Sequence, residues 1–564
     1  MTRLKQLIGV VAAVAALTVT ASIPACSGCG SKAPLSYVPQ DAVFVALIPS
    51  VHDAIKGIGS LTEKFKDEGP VRAAYEKNKQ EMVKELGFDP EKPATMKAKG
   101  LDPSRGLVVS VGVDGESAAI VIGALDQKAL EKYLRETANK MTGGRATFQE
   151  KKVSGLSATL LVLQGEQEPK MAWVYHKGHV IFCPRSKDGK VAEYAAKLAS
   201  QGSSIKDNKT FSRLQGKIGK HQAMFYVDGP SAKKMLAAKA EERLKTASQW
   251  MKESIQKDRE SMDAALAYLD GAAFGVELSG KGAALRVYTA MPGGKAKVVR
   301  EILSGQGDAP EFGEFIGPDA LAVARFSLNP TKLMESVLEL SPLMKNRLYA
   351  DLDKLERHTR IDFKKDVLGL FSGRFAMALF GPNSTALKQL SLHRPQAALA
   401  ALSAVGMAQV TDGKKATEML GKLDRMLTGG GIDVRSKTEG NARIYFIGSA
   451  AAPLVSWTVA KEVALVATGD RMAKTLSLMT KGGDNVLGEI DNSRAKKLFK
   501  ADDGDVFYYN LSKTADTIRG LSLPAEVKLM LSSVTATLSK FADVTWTLEP
   551  EDTGVLSELA IRLK

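Results

Sequence analysis

Hydrophobic and polar positions run along the chain in short blocks, and one block recurs. In "YVPQDAVFVALIPSVHDAI", Tyr37 to Ile55, an apolar run rich in Val and Phe stops at Pro49-Ser50 and a helix-periodic stretch follows. The run predicts a buried strand. Ser50-Val-His-Asp53 has capping-box form, with Asp53 in the place of the usual Glu, and predicts a helix starting there. "HQAMFYVDGPSAKKML" from His221, "DALAVARFSLNPTKLM" from Asp319 and "GDVFYYNLSKTADTI" from Gly504 repeat the pattern, each apolar run ending in Asp, Ser or Asn before a helical segment. Four such joints predict a repeated unit.

Other matches give the repeat a spacing. Pro39-Gln-Asp-Ala42 corresponds to Gly317-Pro-Asp-Ala320, "SRGLVVSVG" from Ser104 to "SGRFAMALFG" from Ser372, Trp173 with Lys177 to Trp457 with Lys461, and Phe225-Tyr226 to Phe507-Tyr508. The chain therefore reads as two tandem related halves. Each orders strand, helices, two strands, the helix of "DQKALEKYLRETANKM", further apolar runs and a hairpin such as "MAWVYHKGHVIFCP", whose Lys177-Gly178 suits a two-residue turn. A second strand-helix joint and a closing hairpin complete the half. Antiparallel hairpins alternating with helices make the predicted fold class α+β, with helices packed on sheet faces. The expected organisation is a signal peptide over 1–25, a lipidated tether over 26–36, a first domain over 37–291, a Gly-rich linker over 292–314 and a second domain over 315–564.

The segment after Pro230 predicts one long amphipathic helix, with Leu236, Ala240, Leu244, Ala247, Met251, Ile255, Met262, Leu266 and Leu269 on one face and Lys and Arg on the other. Packing on its own sheet, a membrane-surface role and a partner-binding role are all compatible with that stripe; the first is the expectation.

The amino terminus changes the picture of where the protein works. "MTRLKQLIGVVAAVAALTVTASIPAC" has basic Arg3 and Lys5, an apolar run from Leu7 to Ala21 and small residues before Cys26, which is a secretory signal. Ile-Pro-Ala-Cys26 resembles the lipobox of bacterial lipoproteins, cut before a diacylated cysteine, with Pro24 a departure from it. Ordinary cleavage after Ala25 would leave Cys26 and Cys29 free or disulfide-bonded. Ser27 after the cysteine resembles the outer-membrane sorting pattern. Expected are lipidation at Cys26, anchoring through acyl chains and location in the cell envelope, facing the periplasm or the cell surface. No later stretch reaches the ~18 apolar residues of a spanning helix.

Charge is uneven. Lys plus Arg number 42 against 31 acidic residues over 36–300 and 33 against 32 over 301–564. The excess reads as a solvated basic surface or as attraction to an anionic one; because it is scattered rather than in runs, nucleic acid is not an expected partner.

Candidate chemistry is thin. His176, His179 and Cys183 share one hairpin, but four residues of strand put 179 and 183 ~13 Å apart, too far for one metal ion. Ser231-Ala-Lys-Lys234 has the S-x-x-K form of serine penicillin-binding enzymes. The form recurs at Ser254-Ile-Gln-Lys257, and Lys481-Gly-Gly supplies no K-T-G strand, so Ser231 reads as a helix cap. Asp502-Asp-Gly-Asp505 is too short for a calcium loop. The chain has no Walker or G-x-G-x-x-G pattern, no G-x-S-x-G and no H-E-x-x-H. No catalytic residue, metal ligand or cofactor is predicted.

The P-x-D-A strand opening, the G-x-D-P…G-L-D passage from Gly87 to Asp102, "NKTFSRL" before the "FYVD" strand, and the leader together resemble uncharacterised exported bacterial proteins of a domain-of-unknown-function type, with similar sequences in myxobacteria. The resemblance spans most of the mature chain and implies no activity. The expectation is a non-enzymatic envelope lipoprotein that binds or scaffolds a protein, lipid or cell-wall partner. The alternative is a periplasmic hydrolase without a short motif.

Overall fold

Each of the four recurring joints closes through one polar side chain. The Ser50 hydroxyl accepts the Asp53 amide (3.2 Å), the Asp228 carboxylate that of Ser231 (2.9 Å), the Asn329 amide oxygen that of Lys332 (3.0 Å) and the Asn510 amide oxygen that of Lys513 (2.8 Å). Each satisfies an orphan N–H in the first turn of a helix and turns the chain from strand to helix. Ser231, expected as the cap, instead sits inside the helix that Asp228 caps, because Asp228 ends the strand where the backbone is still extended.

These joints sit in a computed structural model that describes residues 34–564 apart from 66, 68, 187, 307, 309, 341–351, 355, 358–360, 383–402, 451–452, 501–503 and 522–524. The leader, Cys26, Cys29 and the start of the tether lie outside the described residues, as does Asp502 with Asp503. The chain divides into two units: residues 1–293 with 553–556, and residues 294–552 with 557–564.

Unit 1 is built on β1 (Phe44–Ile48), β2 (Leu107–Val111), β3 (Ala118–Gly123), β4 (Ala146–Val153), β5 (Leu156–Leu163), β6 (Pro169–His176), β7 (His179–Arg185), β8 (Ala223–Asp228), β9 (Gly271–Ser279) and β10 (Gly282–Ala290). All pair antiparallel in the order β4-β5-β6-β7-β3-β2-β1-β8-β9-β10. Strand alternation gives this sheet two apolar faces. Val121, Val174, Ile181 and Cys183 face helices Val191–Ser200 and Lys209–Ile218, while Ile120, Trp173, Val180 and Phe182 face helices Val51–Glu63, Gly69–Leu86 and Gln127–Thr142.

Unit 2 contains β11 (Ala320–Ser327), β12 (Phe371–Phe380), β13 (Ala404–Val410), β14 (Val434–Glu439), β15 (Ala442–Gly448), β16 (Pro453–Ala460), β17 (Val463–Ala467), β18 (Asp505–Asn510) and β19 (Phe541–Glu551). They pair antiparallel as β14-β15-β16-β17-β13-β12-β11-β18-β19, the order that unit 1 follows from β4 to β9. The register agrees as well: Val45 faces Tyr226 and Ala46 faces Phe225, as Val323 faces Tyr508 and Ala324 faces Phe507. Both sheets with their packed helices are α+β.

The stretch 292–314, read as the linker, contains helix Gly293–Ile302 and leads into the 3-10 turn Phe312–Phe315, with Ala296 and Phe312 buried. Pro292-Gly-Gly reads as a breaker, yet it stands at a helix start, where such residues are tolerated. The long helix after Pro230 is two, Gly229–Thr246 and Gln249–Leu266, joined at Ala247-Ser248 and bridged by Lys233–Asp263 (3.8 Å) and Glu241–Arg259 (3.9 Å). Its apolar stripe is spent on this hairpin, not on the sheet: in the second helix no residue is buried.

Candidate functional site

The residues singled out in the sequence do not assemble into a reactive centre. His176 and His179 face each other in register across the Lys177-Gly178 turn, and the Tyr37 ring lies 5.8 Å and 5.4 Å from them. His179 Nδ1 donates to the Lys177 carbonyl (3.3 Å), and burial, helped by Arg105, holds the imidazole below its usual range. Cys183 lies deep in the core, where burial pushes its thiol well up, away from thiolate chemistry. Ser104 donates to Asp102 (2.6 Å), and the same carboxylate pairs with Arg105 (3.0 Å), so that acid is spent on its own loop. Among the described residues, no group of three His, Cys, Asp or Glu is placed to hold a metal ion.

The other face of the unit 1 sheet carries the site the sequence did not disclose. Helix Gln127–Thr142 is capped by Asp126, which accepts the Ala129 amide (3.1 Å), and presents Leu130, Leu134, Ala138 and Met141 to the sheet. The stripe does not close on the sheet. A cavity of about 130 Å³ remains above Leu107, Ile120, Leu161, Trp173 and Phe182. A second, of about 110 Å³, continues under helices Val51–Glu63 and Gly69–Leu86, where Ile55, Ile58 and Met82 roof it. Leu86, Phe88, Leu101, Leu107 and Ile122 line both. Each approaches the ~150 Å³ of a cavity that admits a benzene-sized guest.

The polar groups around these spaces are few and mostly committed. The Tyr133 hydroxyl donates to the Leu86 carbonyl (2.8 Å), tying helix Gln127–Thr142 to the end of helix Gly69–Leu86, and burial raises its pKa. The Trp173 indole donates to Glu131 (2.7 Å), which also pairs with Arg135 (2.5 Å). Past Tyr133, Thr137 and Met141 the first cavity adjoins an open recess of about 520 Å³ ringed by Glu81, Lys84, Glu85, Lys99, Glu136 and Lys140. An apolar slot thus meets a charged rim.

On the corresponding face of unit 2, helix Gly413–Gly429 packs over a cluster whose buried members, among the described residues, are Leu370, Val410 and Ala416. Aligning the helix caps Asp126 and Asp412 puts Thr417 where Glu131 stands, and the Trp457 indole nitrogen finds no partner among the described residues.

The profile of DUF3352, described as a protein of unknown function, matches residues 115–564. The chain belongs to the DUF3352 family. The matched stretch starts after β2, so the DUF3352 profile includes the sheet floor from β3 onward and helix Gln127–Thr142 but not the two roofing helices. No curated protein matches the chain. Two solved structures, described as crystal forms I and III of TP0453, align over 46% and 50% of this chain and 80% and 91% of their own, at 10% and 8% identity with TM-scores of 0.22 and 0.23. Similarity that low carries nothing further.

Proposed function

We propose that this DUF3352 protein is a non-enzymatic envelope lipoprotein, held at the outer membrane through acyl chains on Cys26, whose first unit takes up the apolar chain of a single-tailed amphiphile. The two units descend on this reading from one duplicated segment, and the first has kept or gained an open space under its helices. The observation that carries the binding role is the pair of adjoining apolar cavities that end at a charged rim. Shape and polarity suit a tail of modest length, because Trp173 and Phe182 floor the slot and Ala138 leaves room above them.

A series of fatty acids and lysophospholipids of increasing chain length, titrated against a polarity-sensitive dye, tests the reading. Each methylene buried contributes ~0.8 kcal/mol, so affinity should rise about fourfold per carbon until the slot is filled and then level off. Ala138→Phe should bring the plateau to shorter chains and weaken the longest bound ligand about tenfold. A series without chain-length dependence, or one that Ala138→Phe leaves unchanged, would contradict it.

A further inference from the structure

Far along the helical hairpin from its root, unit 1 carries a tryptophan that nothing in the unit covers. Gly229, Ser231 and Ala232 bury the root of the first helix, while the second buries no residue. The bend between them presents Trp250 at 75% exposure and Met251 at 41%. Tryptophan is a costly residue to leave in water, because its large apolar body gains most from burial while its N–H tolerates a wet edge. The chain's other three do not share its position: Trp173 is 1% exposed, Trp457 is 6%, and the part-buried Trp546 donates to Ser557 (2.9 Å).

The charges around the bend select the covering surface. Arg243, Lys245 and Lys252 lie within seven residues of Trp250 on the two helix ends, against Glu253 as the one acid from Arg243 to Glu253. An indole ringed by long basic side chains is suited to the boundary between lipid headgroups and acyl chains, with each Lys or Arg attracted to anionic headgroups. The hairpin's own ion pairs, Lys233–Asp263 and Glu241–Arg259, hold its stem and leave these tip cations out. We infer that the bend at Ala247-Ser248 docks unit 1 on an anionic bilayer surface, with Trp250 and Met251 entering the headgroup boundary and Arg243, Lys245 and Lys252 engaging phosphates.

The test uses the full chain reconstituted in vesicles whose lipids carry brominated acyl chains, which quench tryptophan only on close approach. In vesicles rich in phosphatidylglycerol, the emission contributed by one of the four tryptophans should be quenched, and Trp250→Ser should remove that component while leaving circular dichroism unchanged. Lys245→Glu with Lys252→Glu, 1 M salt, where the screening length falls to ~3 Å, and phosphatidylcholine vesicles should each lower the quenching to the Trp250→Ser level. Equal quenching in wild type and Trp250→Ser overturns the inference. So does unchanged quenching after both charge reversals. Loss of self-association in Trp250→Ser without a quenching change would assign the tip to a second copy and equally overturn it.

Discussion

Asp505 shows how one residue's surroundings become a property of the fold. It opens β18, accepts the Ser327 amide (2.7 Å) and is buried, and burial lifts its pKa to about 6 in spite of that hydrogen bond and of Arg325 nearby. The folded carboxyl keeps its proton up to about 6, whereas the unfolded one releases it near ~3.9. Between those values the folded state binds more protons, so stability contributed at this position falls as pH rises through that window. Asp505→Asn keeps an acceptor for Ser327 and removes the titration. Its stability relative to wild type should be near zero at pH 4 and reach at most ~3 kcal/mol in its favour at pH 7, read from urea midpoints of the two proteins. Parallel pH profiles would refute the assignment. His179 has the opposite sign: its depressed pKa makes unit 1 lose stability as pH falls below the ordinary imidazole value of ~6.5.

At the scale of elements, the two halves solve the same turn with different residues. Lys177-Gly178 and Lys461-Glu462 both have positive φ at both positions, 46° and 74° in the first, 46° and 59° in the second, as a two-residue hairpin of this hand requires. Glycine takes that conformation freely and glutamate does not. Glu462→Gly should therefore stabilise unit 2 by ~1 kcal/mol, measured as a rise in its thermal midpoint. Gly178→Ala should destabilise unit 1 by at least as much, since a Cβ there would meet the Arg105 guanidinium that donates to the Gly178 carbonyl. A fall in the Glu462→Gly midpoint would contradict this account of the turn.

Elements were legible in the sequence where one residue had one local task. Ser50 and Asn510 were visible as strand ends before helices because capping is decided within four residues. The break at Ala247-Ser248 was not, because the apolar spacing runs through it and only contact between the two helices decides that the chain turns back. The cavity was hidden for a related reason. Leu130, Leu134, Ala138 and Met141 form the stripe of any core-facing helix, and a stripe tells that a face is covered, not whether the cover fits. The volume left above Trp173 depends on residues from five strands and two helices, brought together only in the folded unit.

For the whole molecule, the described parts combine into a lipid-handling reading: an apolar slot with a charged rim in unit 1, a basic and aromatic hairpin tip on the same unit, and an expected acyl anchor ahead of both. The slot is the central claim, and its occupation can be seen directly. Crystals of the protein soaked with a fatty acid brominated near its methyl end should show bromine anomalous scattering between Trp173 and Ala138, with the carboxyl at the rim near Lys99 and Lys140. Bromine found elsewhere on the protein, with the space above Trp173 unoccupied at saturating ligand, would contradict the account.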